Sequence, residues 1–346
     1  MRPALAFLAS VTALAAAEVT FTKQTITKDF VAEGCAVADF NHDGQLDVAA
    51  GRFLWLGPDF KEKVAYTPER NNAGGPSKTP YNPSTGYSDY FIQFAYDFTG
   101  DGWMDLLVFG LPGEPAFVFV NPAGKGGDWA RHNIFDVADG ESPAFVDVNG
   151  DGKPELLCHS SDLVKPKTAK GGKSGGQFGY AEIDWNNPLG KARFRPITPK
   201  TPANDQKIFK YTHGYGLSWF EQNADGSFTE RKIMGATPAE NPQGVVFSQL
   251  HAIQLADVNG DGLPDIVTGK RRWAHGPKGD DEPMADPVVY WFELKRDGKG
   301  AASYVTHQVD RDSGVGTQFW TGPLRPKAKP AIVTANKHGV FVFQQQ

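Results

Sequence analysis

The chain has 346 residues, 40% of them hydrophobic and 12% aromatic, which is enough apolar material for a folded core and excludes a disordered or low-complexity chain. Asp and Glu number 40 against 35 Lys and Arg, a formal charge of −5, so no basic surface is on offer to a nucleic-acid backbone or an anionic membrane. The length fits two ordinary domains or one large all-β domain, and the arrangement of the acidic residues decides between them.

Residues 1–17 begin with Met1 and Arg2 and run from Ala4 to Ala17 through small and apolar side chains. A positive start, a short apolar stretch and a small-residue end predict a secretory signal peptide; a membrane span needs about 20 apolar residues. No later segment is apolar enough to cross a bilayer. The expected product is therefore residues 18–346, secreted or periplasmic, with no membrane span and monomeric. The segment from Val19 to Lys28 is rich in Thr, Val and Ile and predicts a strand. Cys35 and Cys158 are the only cysteines. Buried free thiols are the simpler expectation, with a disulfide as the alternative.

Self-comparison finds one nine-residue pattern four times. Its positions 1, 3, 5 and 9 are Asp39, Asn41, Asp43 and Asp47; then Asp97, Thr99, Asp101 and Asp105; then Asp147, Asn149, Asp151 and Glu155; and last Asp257, Asn259, Asp261 and Asp265. Position 6 is always glycine: Gly44, Gly102, Gly152 and Gly262. These windows hold 12 of the 40 acidic residues, so the acidic excess is clustered. A hard cation such as Ca²⁺ collects six to eight oxygens at about 2.3–2.6 Å, and alternate residues of a tight loop can turn their oxygens inward together. Glycine at position 6 permits the sharp turn. Without a cation the clustered carboxylates repel one another. The expectation is about four Ca²⁺ sites on these sixteen residues. An EF-hand is excluded, because position 12 is Ala50, Val108, Cys158 and Thr268 instead of Glu. Short apolar runs precede and follow each loop, so each loop joins two strands.

The loops start at 39, 97, 147 and 257, intervals of 58, 50 and 110. The double interval places a degenerate unit near residues 205–235. A further unit without its loop follows from Val315 to Phe343. Six units of about 55 residues, each of four antiparallel strands, describe an all-β chain folded as one β-propeller. The last unit shows three strands, so the strand within 19–28 is expected to supply its fourth and close the ring.

The repeated loop between strands at propeller spacing resembles the FG-GAP or VCBS repeats of secreted bacterial proteins and of integrin α-subunit propellers. More distantly, the segments around His213, His251, His275 and Asp312 to Gln318 are similar to the propeller domain of aldos-2-ulose dehydratases. The resemblance implies a calcium-binding propeller, commonly of seven blades. In this chain the loop expected before His213 is missing, and Gly322 to Lys329 stands where the last unit's loop belongs.

Polar residues recur near the expected axis: His213, His251, His275, His159, Lys270 and Arg271. Histidines converging from several units would bind Zn²⁺ or act as acid and base, and the cations would stabilise an enolate or hold a sugar carboxylate. The alternative is hydrogen-bonded strand histidines without chemistry. No nucleophile elbow, HExxH helix, phosphate loop or dinucleotide fingerprint occurs. Three readings follow: a binding propeller presenting Thr67 to Ser88 or Lys165 to Gly176 to a glycan, a small sugar or a protein; a carbon–oxygen lyase acting on an oxidised sugar; and a structural or adhesive module.

Overall fold

The computed structural model describes residues 18–69, 79–161, 176–200, 213–241 and 243–346. The proposed signal peptide, most of Lys165 to Gly176 and the middle of Thr67 to Ser88 lie outside them. The described residues form strands and one short 3-10 turn, Pro238–Glu240.

Each acidic loop joins two antiparallel strands with the same register. β2 (Cys35–Ala38) and β3 (Asp47–Ala50) pair Ala38 with Asp47 across the first loop. β6 (Ile92–Tyr96) and β7 (Asp105–Phe109) pair Tyr96 with Asp105. β9 (Ala130–Val146) and β10 (Glu155–Ser161) pair Val146 with Glu155, and β15 (Leu250–Ala256) and β16 (Asp265–Lys270) pair Ala256 with Asp265. Position 9 is thus the first residue of the strand leaving the loop in all four cases. Gly44, Gly102, Gly152 and Gly262 have φ of 84°, 88°, 86° and 84°, the left-handed turn that glycine adopts without a Cβ clash. Position 4 is left-handed too, and in the first loop a non-glycine, His42, holds it at φ 62°.

Position 9 has a structural duty that the spacing alone does not reveal. One Asp47 oxygen accepts the Phe40 N–H at 3.0 Å and the other accepts the Gly57 N–H at 2.8 Å. Asp105 does the same for Phe98 and Asn121, and Asp265 for Val258 and Leu294. Each carboxylate ties its own loop to the end of the following hairpin. These side chains are buried, which pushes the Asp47 and Asp105 carboxyls up to about 6 against the pull of those N–H donors.

The strands group into sheets in chain order. β2, β3, β4 (Phe53–Trp55) and β5 (Lys63–Ala65) form the first. A seven-stranded sheet follows: β6, β7, β8 (Glu114–Val120), β9, β10, β11 (Gly176–Glu182) and β12 (Arg193–Pro196). The 17-residue β9 belongs to two units, since Ala130–Ala138 pairs with β8 and Asp139–Val146 with β10. β13 (Leu217–Gln222) and β14 (Phe228–Met234) make a two-stranded sheet in the region of the degenerate unit. Among the described residues it has two strands where four were expected. β15, β16, β17 (Val289–Arg296) and β18 (Ala302–Asp310) form the next four-stranded sheet. β19 (Phe319–Pro323), β20 (Pro330–Asn336) and β21 (Gly339–Gln345) complete the series, with β1 (Phe21–Thr27) paired antiparallel to β21 as the fourth strand. The N-terminal segment therefore stands in the last sheet, from Phe21 opposite Gln345 to Thr27 opposite Val340.

Neighbouring sheets pack face to face, as in a propeller. Val48 and Trp55 of the first sheet share a core with Phe117 and Phe119 of the second unit and with Val333 and Val342 of the last sheet. Val267 and Trp291 pack on Phe319 and Phe341, and Leu217 and Met234 on Ile266 and Phe292. Cys35 and Cys158 are both buried and unpaired, and burial pushes each thiol up to about 12.

The bracing role of position 9 is separable from the exposed positions of the same loop. In EGTA, Asp105→Ala should lower stability by about 2–4 kcal/mol through orphaned buried N–H groups, whereas Asp101→Ala should stay within about 0.5 kcal/mol. Urea unfolding monitored by far-UV circular dichroism reads both; equal losses would contradict the bracing role.

Candidate functional site

The innermost strands enter with a residue six places before each loop start: Glu33, Phe91, Glu141 and His251 precede Asp39, Asp97, Asp147 and Asp257 by that same offset. All four meet at Arg271, the first residue after β16. Its Nη2 is 2.5 Å from Glu33 Oε2 and its Nη1 is 2.8 Å from Glu141 Oε2. Its guanidinium lies 4.8 Å from the Phe91 ring centroid, and Nη1 is 3.1 Å from His251 Nε2. Arg271 is 2% exposed, so its charge is matched inside the protein and does not reach a ligand.

Glu33 holds a second cation. Lys337, from the turn between β20 and β21, places Nζ 3.1 Å from Glu33 Oε1 and 3.9 Å from the Trp273 ring centroid. Burial alone would raise the Glu33 carboxyl, but the charges of Arg271 and Lys337 hold it below the ordinary carboxylate range. Burial brings Lys337 down to about 8.

Towards solvent, Glu141 joins the histidines. His251 Nε2 is 2.6 Å from Glu141 Oε2. A carboxylate only accepts, so Nε2 carries the proton and Arg271, also a donor, gives its own to Glu141. Although burial would raise it, these partners pull the Glu141 carboxyl down to about 2. The His213 ring lies 5.4 Å from His251 and 4.6 Å from His275. Burial lowers His213 to about 4, so it is neutral near pH 7. His275 donates Nδ1–H to Asp280 Oδ1 at 2.9 Å, and Asp280 is itself fixed by the N–H groups of Ala274 and His275. The other His275 nitrogen is thereby left as an acceptor, and its side chain, 58% exposed, forms the mouth of the cluster.

Ligand atoms of Glu141, His213 and His275 all lie within 4.8 Å of one another, the one set of three such side chains brought together among the described residues. Two imidazoles and a carboxylate match a zinc-type donor set with a position left for a ligand. The buried Nδ1 atoms of His213 and His251 have no hydrogen-bond partner, and Asp280 behind His275 is the outer carboxylate that orients metal-binding histidines.

Of the six candidates from the sequence, His213, His251, His275 and Arg271 converge. Lys270 is buried with Nζ 2.8 Å from Ser248 Oγ, and burial lowers it to about 8. His159 lies against Phe178 with ring centroids 5.1 Å apart and the planes tilted by 51°. Neither contacts the histidine cluster. Glu33, Glu141 and Lys337 were missed, although the shared offset from the loops marks the first two.

At the loops, Asp39 Oδ1 and Asn41 Oδ1 converge on the Asp43 N–H at 3.1 Å each, and Asp257 Oδ1 and Asn259 Oδ1 on the Asp261 N–H at 3.0 Å each. Oxygens at positions 1 and 3 therefore already turn inward together, a hard-oxygen set suited to Ca²⁺.

Residues 97–158, which contain the second and third loops, match the FG-GAP-like repeat family. No curated protein matches the chain in sequence. Among solved structures the chain is similar to a glucose dehydrogenase at 12% identity, covering 93% of this chain and 98% of that one with a TM-score of 0.38. It is also similar to an auxiliary nutrient binding protein from Bacteroides thetaiotaomicron VPI-5482 at 8% identity, covering 95% and 77% with a TM-score of 0.43. A rhamnogalacturonan lyase shares 14% identity over 92% of this chain and 57% of its own, with a TM-score of 0.26.

Glu33 is the test of the axial network. Glu33→Gln leaves two buried cations short of a carboxylate and should cost about 3–5 kcal/mol, and Lys337→Met added to it should recover part of the loss. Denaturant unfolding of the two variants checks this, and an unchanged Glu33→Gln midpoint would refute it.

Proposed function

We propose that this protein is a calcium-braced, ligand-binding propeller of six units whose axial mouth holds a divalent metal of the zinc type on Glu141, His213 and His275. The observation that carries the reading is the convergence of those three side chains from separate parts of the chain. Counting the seven-stranded sheet as two units through β9 gives six, with β1 completing the last as the ring's closing strand. In this reading the ligand is a small oxygen-rich molecule, a sugar or sugar derivative. The bound metal supplies a Lewis acid for a ligand oxygen.

The chain's own residues do the positioning. Arg271 and His251 both bind Oε2 of Glu141, which fixes the carboxylate and leaves Oε1 for a ligand or ion. Asp280 fixes the tautomer of His275, and burial keeps His213 neutral. At the other end, positions 1, 3 and 5 of the four loops hold Ca²⁺, while position 9 keeps each loop on its sheet. Extracellular calcium modules bind at about 10⁻⁴–10⁻³ M, which suits a chain exported by residues 1–17.

A second reading, a carbon–oxygen lyase acting on an oxidised sugar, is favoured by the His275–Asp280 pair. With Nδ1–H given to Asp280, the exposed Nε2 is placed to take a proton from carbon beside a carbonyl.

Metal analysis of protein equilibrated by dialysis against several millimolar Ca²⁺, with the dialysate subtracted, should find about four calcium equivalents and one zinc. His213→Ala and His275→Ala should lose the zinc and keep the calcium, and EGTA should lower the melting temperature. Wild-type protein without zinc, or variants that retain it, would overturn the axial centre; a melting temperature indifferent to EGTA would overturn the calcium reading. A keto-sugar screen for a UV-absorbing enone, abolished by His275→Ala, would establish the lyase over the binder.

A further inference from the structure

A groove of about 560 Å³ lies between the β13–β14 sheet and the outer strand β18, away from the axis. It is bounded by Trp219 of β13, by Glu230 to Met234 of β14 and by Ala302, Ser303, Tyr304 and Thr306 of β18. Buried Met234 and Phe292 form the apolar floor. Trp219 from β13 and Tyr304 from β18, both half-buried, supply an aromatic surface from each side.

The cations around this groove are matched within the protein. Arg231 is paired with Glu221 at 2.8 Å, Lys232 with Glu240 at 2.5 Å, and Glu230 accepts the Ser218 hydroxyl at 2.7 Å. Gln243 is tied to β18, where its Oε1 accepts from Thr306 N and Oγ1 at 2.7 and 2.9 Å. The lining carboxylate Glu230 has only a neutral hydroxyl as partner, whereas both lining cations are paired, so an anionic ligand would find no unmatched cation. By contrast, the Trp219 indole N–H and the Tyr304 and Ser303 hydroxyls make no hydrogen bond with the described residues, so three donors face a polar guest. Aromatic surfaces with unused donors, an apolar floor and no unpaired cation suit the apolar C–H faces and the hydroxyls of a sugar ring. The volume lies within the range of small-molecule sites, about 300–1,000 Å³.

We propose that this groove binds a neutral carbohydrate of one or two rings, stacked on Trp219 and Tyr304, independently of the axial centre. Isothermal titration of the full-length chain with cellobiose, maltose and lactose at millimolar concentrations tests it. At least one should bind, with affinity reduced tenfold or more in Trp219→Ala and Tyr304→Ala and less in Trp219→Phe, whose ring preserves stacking. Unchanged circular dichroism and melting temperature would establish that the Ala variants fold. No binding of any of the three to wild type would overturn the proposal. So would binding that His213→Ala abolishes while Trp219→Ala leaves it intact, since the sugar would then sit at the axis.

Discussion

The buried pair of Glu33 and Arg271 is the constraint on which the axis of this protein depends. Glu33 comes from the segment entering β2 and Arg271 from the end of β16, 238 residues later. Neither could stay charged in the interior alone, because desolvation of a lone ion costs several kcal/mol. Together with Lys337 and Glu141 they form a chain of alternating sign whose formal charges cancel. The first sheet, the seven-stranded sheet, the β15–β18 sheet and the last sheet each contribute one of these four groups. Their mutual attraction fixes where those elements stand around the axis. The histidines inherit their placement from this chain, since His251 and Glu141 are both held by Arg271.

The two ends of each loop-bearing strand pair serve different chemistry. At one end the position-9 Asp of the first, second and fourth loops accepts backbone N–H groups from two successive turns and holds the hairpins in register, while Glu155 of the third accepts Val148 N–H and the Asn149 amide of its own loop. Positions 1, 3 and 5 of the same loop face outward and carry the hard oxygens. At the other end, the residue six places earlier lies at the axis. A four-residue strand such as β2, buried but for Val37, therefore connects the loop with the axial network. The axial end gathers imidazoles, where burial lowers His213 and His251 and Asp280 orients His275.

Glycine and sheet size explain where regularity stops. The unit around β13 and β14 lacks the acidic loop, and no position-9 carboxylate stands there to brace a further hairpin. Its described part is a two-stranded ribbon, which relies on Leu217, Met234 and Phe247 packing against Ile266 and Phe292. The groove lined by Trp219 and Tyr304 lies beside that packing, with Met234 and Phe292 common to both.

Much of the architecture was legible in the sequence, because a strand pair joined by a nine-residue loop is a local object. Asp at 1, glycine at 6 and Asp or Glu at 9 specify the turn from neighbours in the chain, and the apolar runs on either side specify the strands. The strand within 19–28 was legible by its composition and by the shortage of one strand in the last unit. The histidines at 213, 251 and 275 stood out as polar residues in apolar surroundings. Their convergence, the pairing of Arg271 with two carboxylates, and the removal of Lys270 and His159 from the cluster depend on distances between residues far apart in sequence, set by how the sheets pack. Glu33 and Glu141 carried a readable sign in their common offset from the loops. Lys337 carried none, since nothing local in the turn between β20 and β21 says that a carboxylate from the first unit will meet it. Local hydrogen-bond geometry is written into spacing, whereas charge compensation across the axis arises only when the folded chain brings opposite charges into the same low-dielectric interior.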